Sequence, residues 1–250
     1  MDTRITAPLA VQGLTKTYGA RRAVDEISFG LLPGHIYALV GHNGCGKSSL
    51  LRLIGGLSLP DAGTVSLFGS ETERELSRAR SRVGFLLSES DFFPAYSVYG
   101  NLKLTAQLRG EVSKSEIRAL MQRLHLTERE IGSQRMGKCS AGQQKRAGIA
   151  AALLGQPELL VLDEPFNALD KSSLEDVLTL LREENGQRGT TMHIAEHHTE
   201  ELSLLATDFL FLNEGRLTEQ VSAAELQARL GETGCGSIDE YYRKLIGGTE

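Results

Sequence analysis

Gly41-His42-Asn43-Gly44-Cys45-Gly46-Lys47-Ser48 fits G-x-x-x-x-G-K-[ST], and it lies between the apolar run Ile36–Val40 and a segment carrying Leu50, Leu51, Leu53 and Ile54. A strand, a glycine-rich turn and a helix in that order commit the chain to an α/β architecture. Glycines let the backbone approach a bound group closely, successive N–H groups point at phosphate oxygens, and the helix start adds about half a positive charge. Lys47 would then reach the β- and γ-phosphates, the Ser48 hydroxyl would join a Mg²⁺ shell, and Ser49 would extend the lining of the loop. A chance turn of this pattern is expected in about one chain in a hundred of this length.

The rest of the composition narrows the setting. With 250 residues, 40% of them hydrophobic, the chain can bury a sizeable core. Lys and Arg number 27 against 32 Asp and Glu, a net charge of -5, so no overall basic field is available for a nucleic-acid backbone and no nucleic-acid partner is expected. No apolar run approaches the roughly 20 residues a membrane-spanning helix needs. The start lacks an apolar leader, so the cytoplasm is the expected compartment. Three cysteines without a CxxC pair suggest reduced thiols rather than a disulfide framework or zinc site.

Short β segments are expected at Leu9–Leu14, Ile27–Leu31, Ile36–Val40 and Thr64–Phe68, with one helix after the phosphate loop ending at Gly55-Gly56. From about Ser97 to Leu154 apolar residues recur at helical spacing, among them Leu102, Leu108, Ile117, Leu120, Met121 and Ile149. Buried strands return at Leu159–Leu162, Thr191–Ala195 and Phe209–Leu212, with a helix over roughly Ser172–Glu184. The alternation predicts a mainly parallel sheet with right-handed crossovers. The tail reads as a helix from Ala223 through Leu230, a loop Gly231–Gly236 and a segment Ile238–Ile246 with no assignable chemistry.

Leu159-Leu160-Val161-Leu162-Asp163-Glu164-Pro165 sets two carboxylates directly beyond an apolar strand, at the edge where open α/β sheets bind ligands. Asp163 would hold Mg²⁺ and Glu164 would polarise an attacking water. Alone, the pair would be an ordinary acidic turn. Ser140 and Gly142, opening a helix, form a second candidate anion site; in isolation they are only a cap.

Taken together, the phosphate loop, the acidic strand end and Cys139-Ser140-Ala141-Gly142-Gln143-Gln144-Lys145-Arg146 resemble the nucleotide-binding subunit of ABC transporters. The last stretch resembles the family's L-S-G-G-Q signature, with Cys139 for the leucine and Ala141 for the first glycine. The resemblance covers about Pro8 to Leu217. It implies a P-loop NTPase core with a mainly parallel sheet, an N-terminal antiparallel β subdomain and a helical insertion at about 89–156, the ATP-binding domain filling 1–222 and an extension of unknown role 223–250. It implies ATP and Mg²⁺ as ligands, Tyr18 stacking on adenine, and Ala168-Leu169-Asp170 as the loop through which two active sites communicate. His197, preferred over His198 because Glu201 follows four residues later, resembles the switch histidine that contacts the γ-phosphate. Adjacent histidines do not share a helix or strand face, which disfavours a metal pair.

One phosphate loop and one signature per chain imply that ATP is sandwiched head to tail between two copies, or between this chain and a paralogue, on the cytoplasmic face of a membrane permease. The permease is expected to insert a short helix beside Leu86 to Leu102. The segments Phe92–Ser97 and Glu164–Asn167 are similar to those of bacterial exporters of peptides, antibiotics or lipids. Ser88 stands where the family has a glutamine that contacts Mg²⁺ and water; Glu89, or a water at Ser88, is expected to substitute, with slower or more tightly coupled hydrolysis. The alternatives are a soluble ABC-type ATPase, disfavoured by the absence of a long heptad run and a zinc module, and a nucleotide-binding regulatory subunit. Cys45, inside the loop, is expected to be alkylated in an ATP-protectable way.

Overall fold

The computed structural model describes residues 6–71, 73–87, 92–110, 112–197 and 199–247. Ser88, Glu89 and His198 lie outside the described residues. Two sheets organise the chain. β1 (Leu9–Tyr18), β2 (Arg21–Gly30) and β4 (Ala62–Leu67) form a three-stranded antiparallel sheet in the order β2-β1-β4. The larger sheet has six strands in the order β5 (Val83–Leu86), β6 (Leu159–Asp163), β7 (Thr191–Glu196), β3 (Ile36–Val40), β8 (Asp208–Asn213) and β9 (Arg216–Ser222). All its pairings are parallel except the β8–β9 hairpin.

A parallel strand covered on both faces reads as a continuous apolar run, and β3 is buried at every position. Its alternate side chains feed two separate cores. Ile36, Ala38 and Val40 join a cluster with the helical segments, while Tyr37 and Leu39 join one under the antiparallel sheet and α1 (Lys47–Ile54). The register aligns Val40 with Glu196 and Phe211, and Asp163 with Ala195. The carboxyl ends of β3, β6 and β7 therefore open on one edge of the sheet.

Between β5 and β6 the chain is helical, with α3 (Val98–Arg109), α4 (Lys114–Arg123) and α5 (Ala141–Leu153) separated by short irregular turns. α2 (Glu73–Ala79) precedes β5, α6 (Lys171–Arg188) links β6 to β7, and α7 (Thr199–Ser203) follows β7. Several expectations need correction. β1 and β2 are longer than the apolar stretches that announced them, because they pair on as far as Tyr18 and Arg21, where the hairpin end is exposed and needs no apolar side chains, although Ala23 and Val24 stay buried. β5 and β9 were not foreseen as strands. Leu108 sits at helical spacing but is 81% exposed. α1 does end at Gly55-Gly56 as expected, with Gly55 the cap and Gly56 left-handed.

The tail is two helices, α8 (Ala223–Thr233) and α9 (Ile238–Leu245). α8 runs through Gly231 and stops at Gly234, whose φ of 71° caps it, so the expected loop is shorter. Leu226, Leu230, Ile238, Tyr241 and Tyr242 are buried in the same core as the sheet.

Candidate active site

The phosphate loop leaves β3 at Gly41 and enters α1 at Gly46. Gly46 has φ 119° and no side-chain cap bonds the helix start, so the first-turn N–H groups are left to a ligand. A side chain at Gly41 would meet the Leu212 carbonyl oxygen at 2.6 Å, which explains the glycine there as close packing. Lys47 is buried, and its Nζ donates to the carbonyls of Gly41 and, at 3.3 Å, His42. The ammonium is thus held over the loop by neutral acceptors. Phosphate oxygens are stronger acceptors for it.

Beside the loop lies a cavity of about 270 Å³, lined by Tyr18, Arg21 and Ala23 on one side, by Asn43, Gly44 and Gly46 to Ser49 on the other, and by Glu164. Tyr18 is 47% exposed at the end of β1, a ring surface open to stacking. Arg21, whose guanidinium donates to the Gly44 carbonyl, escaped the sequence reading. The signal that could have found it is the two-residue turn at Gly19-Ala20, which pairs Tyr18 with Arg21 across the hairpin. His42 points along the rim, with its ring nitrogens at 2.9 Å from the Asn43 carbonyl and 3.3 Å from Asn213 Oδ1. Cys45 does not face the cavity. It is 1% exposed, packed in the core beneath Gly41, and burial pushes its thiol pKa up. This overturns the expectation of ready alkylation.

Asp163 ends β6. Burial raises its pKa, opposed by the neighbouring Ser48 hydroxyl, and its Oδ1 is buried without a hydrogen-bond partner among the described residues. A desolvated carboxylate oxygen beside a hydroxyl is a donor set that suits a hard divalent cation, so the residues present fit Mg²⁺. Glu164 follows with φ 48°, a conformation that costs a non-glycine residue of order 1 kcal/mol and turns its carboxylate toward the cavity. Its own N–H is fixed to the Ala195 carbonyl at 2.8 Å. His197 Nδ1 lies 3.4 Å from Glu164 Oε1 and 3.4 Å from Glu196 Oε2.

Glu196 was not anticipated. Its carboxyl is fully buried and accepts the N–H groups of Phe166 and His197 at 3.2 Å each, so one side chain ties the turn after Glu164 to the turn carrying His197. Burial raises its pKa to about 7 against those two bonds. No spacing rule marks it, because the two turns meet only through the β6–β7 pairing.

The signature residues lie elsewhere. Ser140 caps α5, its Oγ accepting from Gln143 N at 3.3 Å while Gln143 Oε1 accepts from Ser140 N at 2.9 Å. Gly142 packs so closely on the Ala168 carbonyl that an added Cβ would sit 2.5 Å from its oxygen. Ala141 is exposed. Asp170 caps α6, accepting from Ser173 N at 2.8 Å, and that bond lowers its pKa. The cavity at Lys47 thus brings together Tyr18, the phosphate loop and Glu164, but takes no wall from Ser140 to Gln143, Asp170 or His197.

Residues 24–167 match the family described as ABC transporter. The bacitracin transport ATP-binding protein BcrA of Enterococcus faecalis is 35% identical over 88% of this chain and 71% of its own length. The methionine import ATP-binding protein MetN of Streptomyces coelicolor is 31% identical over 89% of this chain and 68% of its own. Among solved structures, an ATP-binding subunit of an ABC transporter superposes with a TM-score of 0.84 at 26% identity, covering 95% of this chain and 99% of that one. A dimeric ATP-binding cassette in a post-hydrolysis state with ADP and Pi gives 0.78 at 25% identity, over 86% and 98%. The chain belongs to the ABC transporter family, as an ATP-hydrolysing subunit whose chemistry is coupled to transport. No helix among the described residues is long and apolar enough to cross a membrane.

Proposed function

We propose that two copies of this chain, or this chain and a paralogue, close head to tail on Mg-ATP and drive export through a separate membrane permease from its cytoplasmic face. The observation that carries the two-chain reading is the incomplete wall at Lys47. A seat for the phosphates has a base, a lysine and a carboxylate, yet the second helix N-terminus lies outside it. A signature from a partner copy would supply the missing side. The dimeric cassette with ADP and Pi supports this assembly.

On binding, Lys47 exchanges the carbonyls of Gly41 and His42 for the β- and γ-phosphates, while the first-turn N–H groups of α1 take the remaining oxygens. Ser48 and Asp163 would hold Mg²⁺, which when bound neutralises charge on the phosphate oxygens. Glu164 accepts the proton of the attacking water, and His197, beside that carboxylate, meets the γ-phosphate. Tyr18 stacks on adenine, Arg21 faces the phosphates across the cavity, and Ser140 with Gly142 closes the seat from the partner. Asp170 lies at the junction between the two sites.

Export is favoured by the segments Phe92–Ser97 and Glu164–Asn167, similar to those of bacterial exporters; BcrA of Enterococcus faecalis and Bacillus licheniformis is named for bacitracin transport without a direction, and MetN, named for import, shares comparable identity. Permease contact is assigned to the exposed aromatic pair Phe93 and Tyr96, whose ring centroids are 5.4 Å apart and whose loop is braced by Asn101. Gentle solubilisation of membranes from cells making the tagged chain, with ATP present, tests the reading. An integral-membrane partner with several long apolar spans is expected. A chain that stays soluble with ribosomal or DNA-repair partners would end the transport reading while leaving the ATPase.

A further inference from the structure

The tail that the sequence left without chemistry lies behind the active site. Tyr242 of α9 is buried, and its hydroxyl donates to the Leu212 carbonyl at 2.8 Å while accepting the N–H of His42 at 3.3 Å. His42 is the second residue of the phosphate loop, and the same Leu212 carbonyl is the group that Gly41 packs against. One hydroxyl therefore fixes the base of the loop to the end of β8. Three residues earlier on α9, Asp239 Oδ1 accepts the Thr199 hydroxyl at 2.9 Å. Thr199 is 3% exposed and opens α7, two residues beyond His197.

We propose that α9 is a positioning element for ATP turnover, with Tyr242 setting the phosphate loop and Asp239 setting the segment that carries His197. The helix is itself held firmly enough to serve as a reference. Its N-cap Ser237 accepts Glu240 N at 3.1 Å, Glu240 Oε2 accepts Gly236 N at 2.6 Å, and Ile238 is buried in the same core as the sheet. The Tyr242 ring stacks on Phe211 of β8 with centroids 6.2 Å apart, so its packing does not depend on the hydroxyl. Neither contact touches nucleotide. Both act through other residues, the first on binding and the second on the chemical step.

The inference rests on the reading of the Lys47 cavity as the phosphate seat, and the test separates the two. ATP affinity, kcat and KM are measured on the full chain for the wild type, Tyr242→Phe, Thr199→Val and, as a control on α9, Tyr241→Phe. Loss of one hydrogen bond to the loop is expected to weaken ATP binding and raise KM about 5-fold in Tyr242→Phe, with kcat within about 2-fold of wild type. Thr199→Val, which deletes the hydroxyl that Asp239 accepts, should lower kcat by a similar factor at unchanged affinity. Tyr241→Phe, which loses a bond of the same kind, to Glu219, away from both loops, should leave both parameters unchanged. If Tyr242→Phe and Tyr241→Phe behave alike, or if Tyr242→Phe and Thr199→Val move the same parameter equally, α9 is structural and the proposal falls. A wild-type chain that binds no ATP overturns the phosphate seat and this inference with it.

Discussion

The chain has two glycine-containing helix starts of opposite character. α1 opens on Gly46 without a side-chain cap, and the adjacent cavity already holds Lys47 and Glu164. α5 opens on Ser140 with a complete capping box, so two of its donors are spent within the chain, and no lysine of the phosphate loop stands opposite. The first start is built to receive an anion by itself. The second is stable without one, and in the proposed assembly it meets a phosphate only when the partner brings one. That asymmetry is what a site divided between two chains requires: affinity resides on one side, and assembly-dependent chemistry on the other.

The sharpest way to break the comparison is to remove the cation of the first start. Lys47→Ala should weaken ATP binding by roughly 100-fold or more, since a charge-assisted contact to phosphate has no substitute in the loop; equilibrium titration with a fluorescent ATP analogue reads it. Glu164→Gln should leave that affinity within a few-fold and lower steady-state turnover by about 100-fold or more. Gly142→Ala, whose methyl would press on the Ala168 carbonyl, should cut turnover about 10-fold while the isolated chain binds ATP normally. Equal loss of binding in Gly142→Ala and Lys47→Ala would erase the distinction between the two starts.

A smaller effect separates the edge of β7 from its interior. His193 is fully buried against Phe29, neither ring nitrogen has a hydrogen-bond partner among the described residues, and burial lowers its pKa from 6.5 to about 4. The unfolded chain takes up a proton below about pH 6.5 that the folded chain refuses until about pH 4. Stability from this group is therefore complete above pH 6.5 and declines as pH falls, reaching a loss of about 3 kcal/mol near pH 4. Urea denaturation at pH 7.5 and 5.5 should differ by about 1 kcal/mol more in the wild type than in His193→Leu. Identical pH dependence in both would contradict the dry environment.

The parts legible in the sequence were contiguous. Gly41 to Ser48 and Leu159 to Glu164 each announce a strand together with the turn at its end, because the turn chemistry and the apolar run are neighbours in the chain, and β3, α1 and β6 form where those patterns stand. Arg21 needed one further step, the pairing of a short hairpin. Glu196 and Tyr242 needed the whole topology. The first matters because β6 and β7 are adjacent, the second because α9 returns to a loop 200 residues earlier. Neither distance leaves a local pattern. Cys45 shows the converse, a residue inside a recognisable motif whose side chain faces the core, as only packing could reveal.

The central claim, that one chain carries two half-sites which work only when paired across copies, is tested most directly by mixing inactive variants. Lys47→Ala and Gly142→Asp should each be nearly inactive as purified proteins. Combined in equal amounts they form mixed pairs in which one site joins the intact phosphate loop of one chain to the intact signature of the other. Turnover should recover to about a quarter of wild type, from the half of all pairs that are mixed and the single sound site in each. A mixture no more active than its parents, alongside a wild type whose turnover per chain is independent of protein concentration, would mean that the site is completed within one chain and would contradict the account.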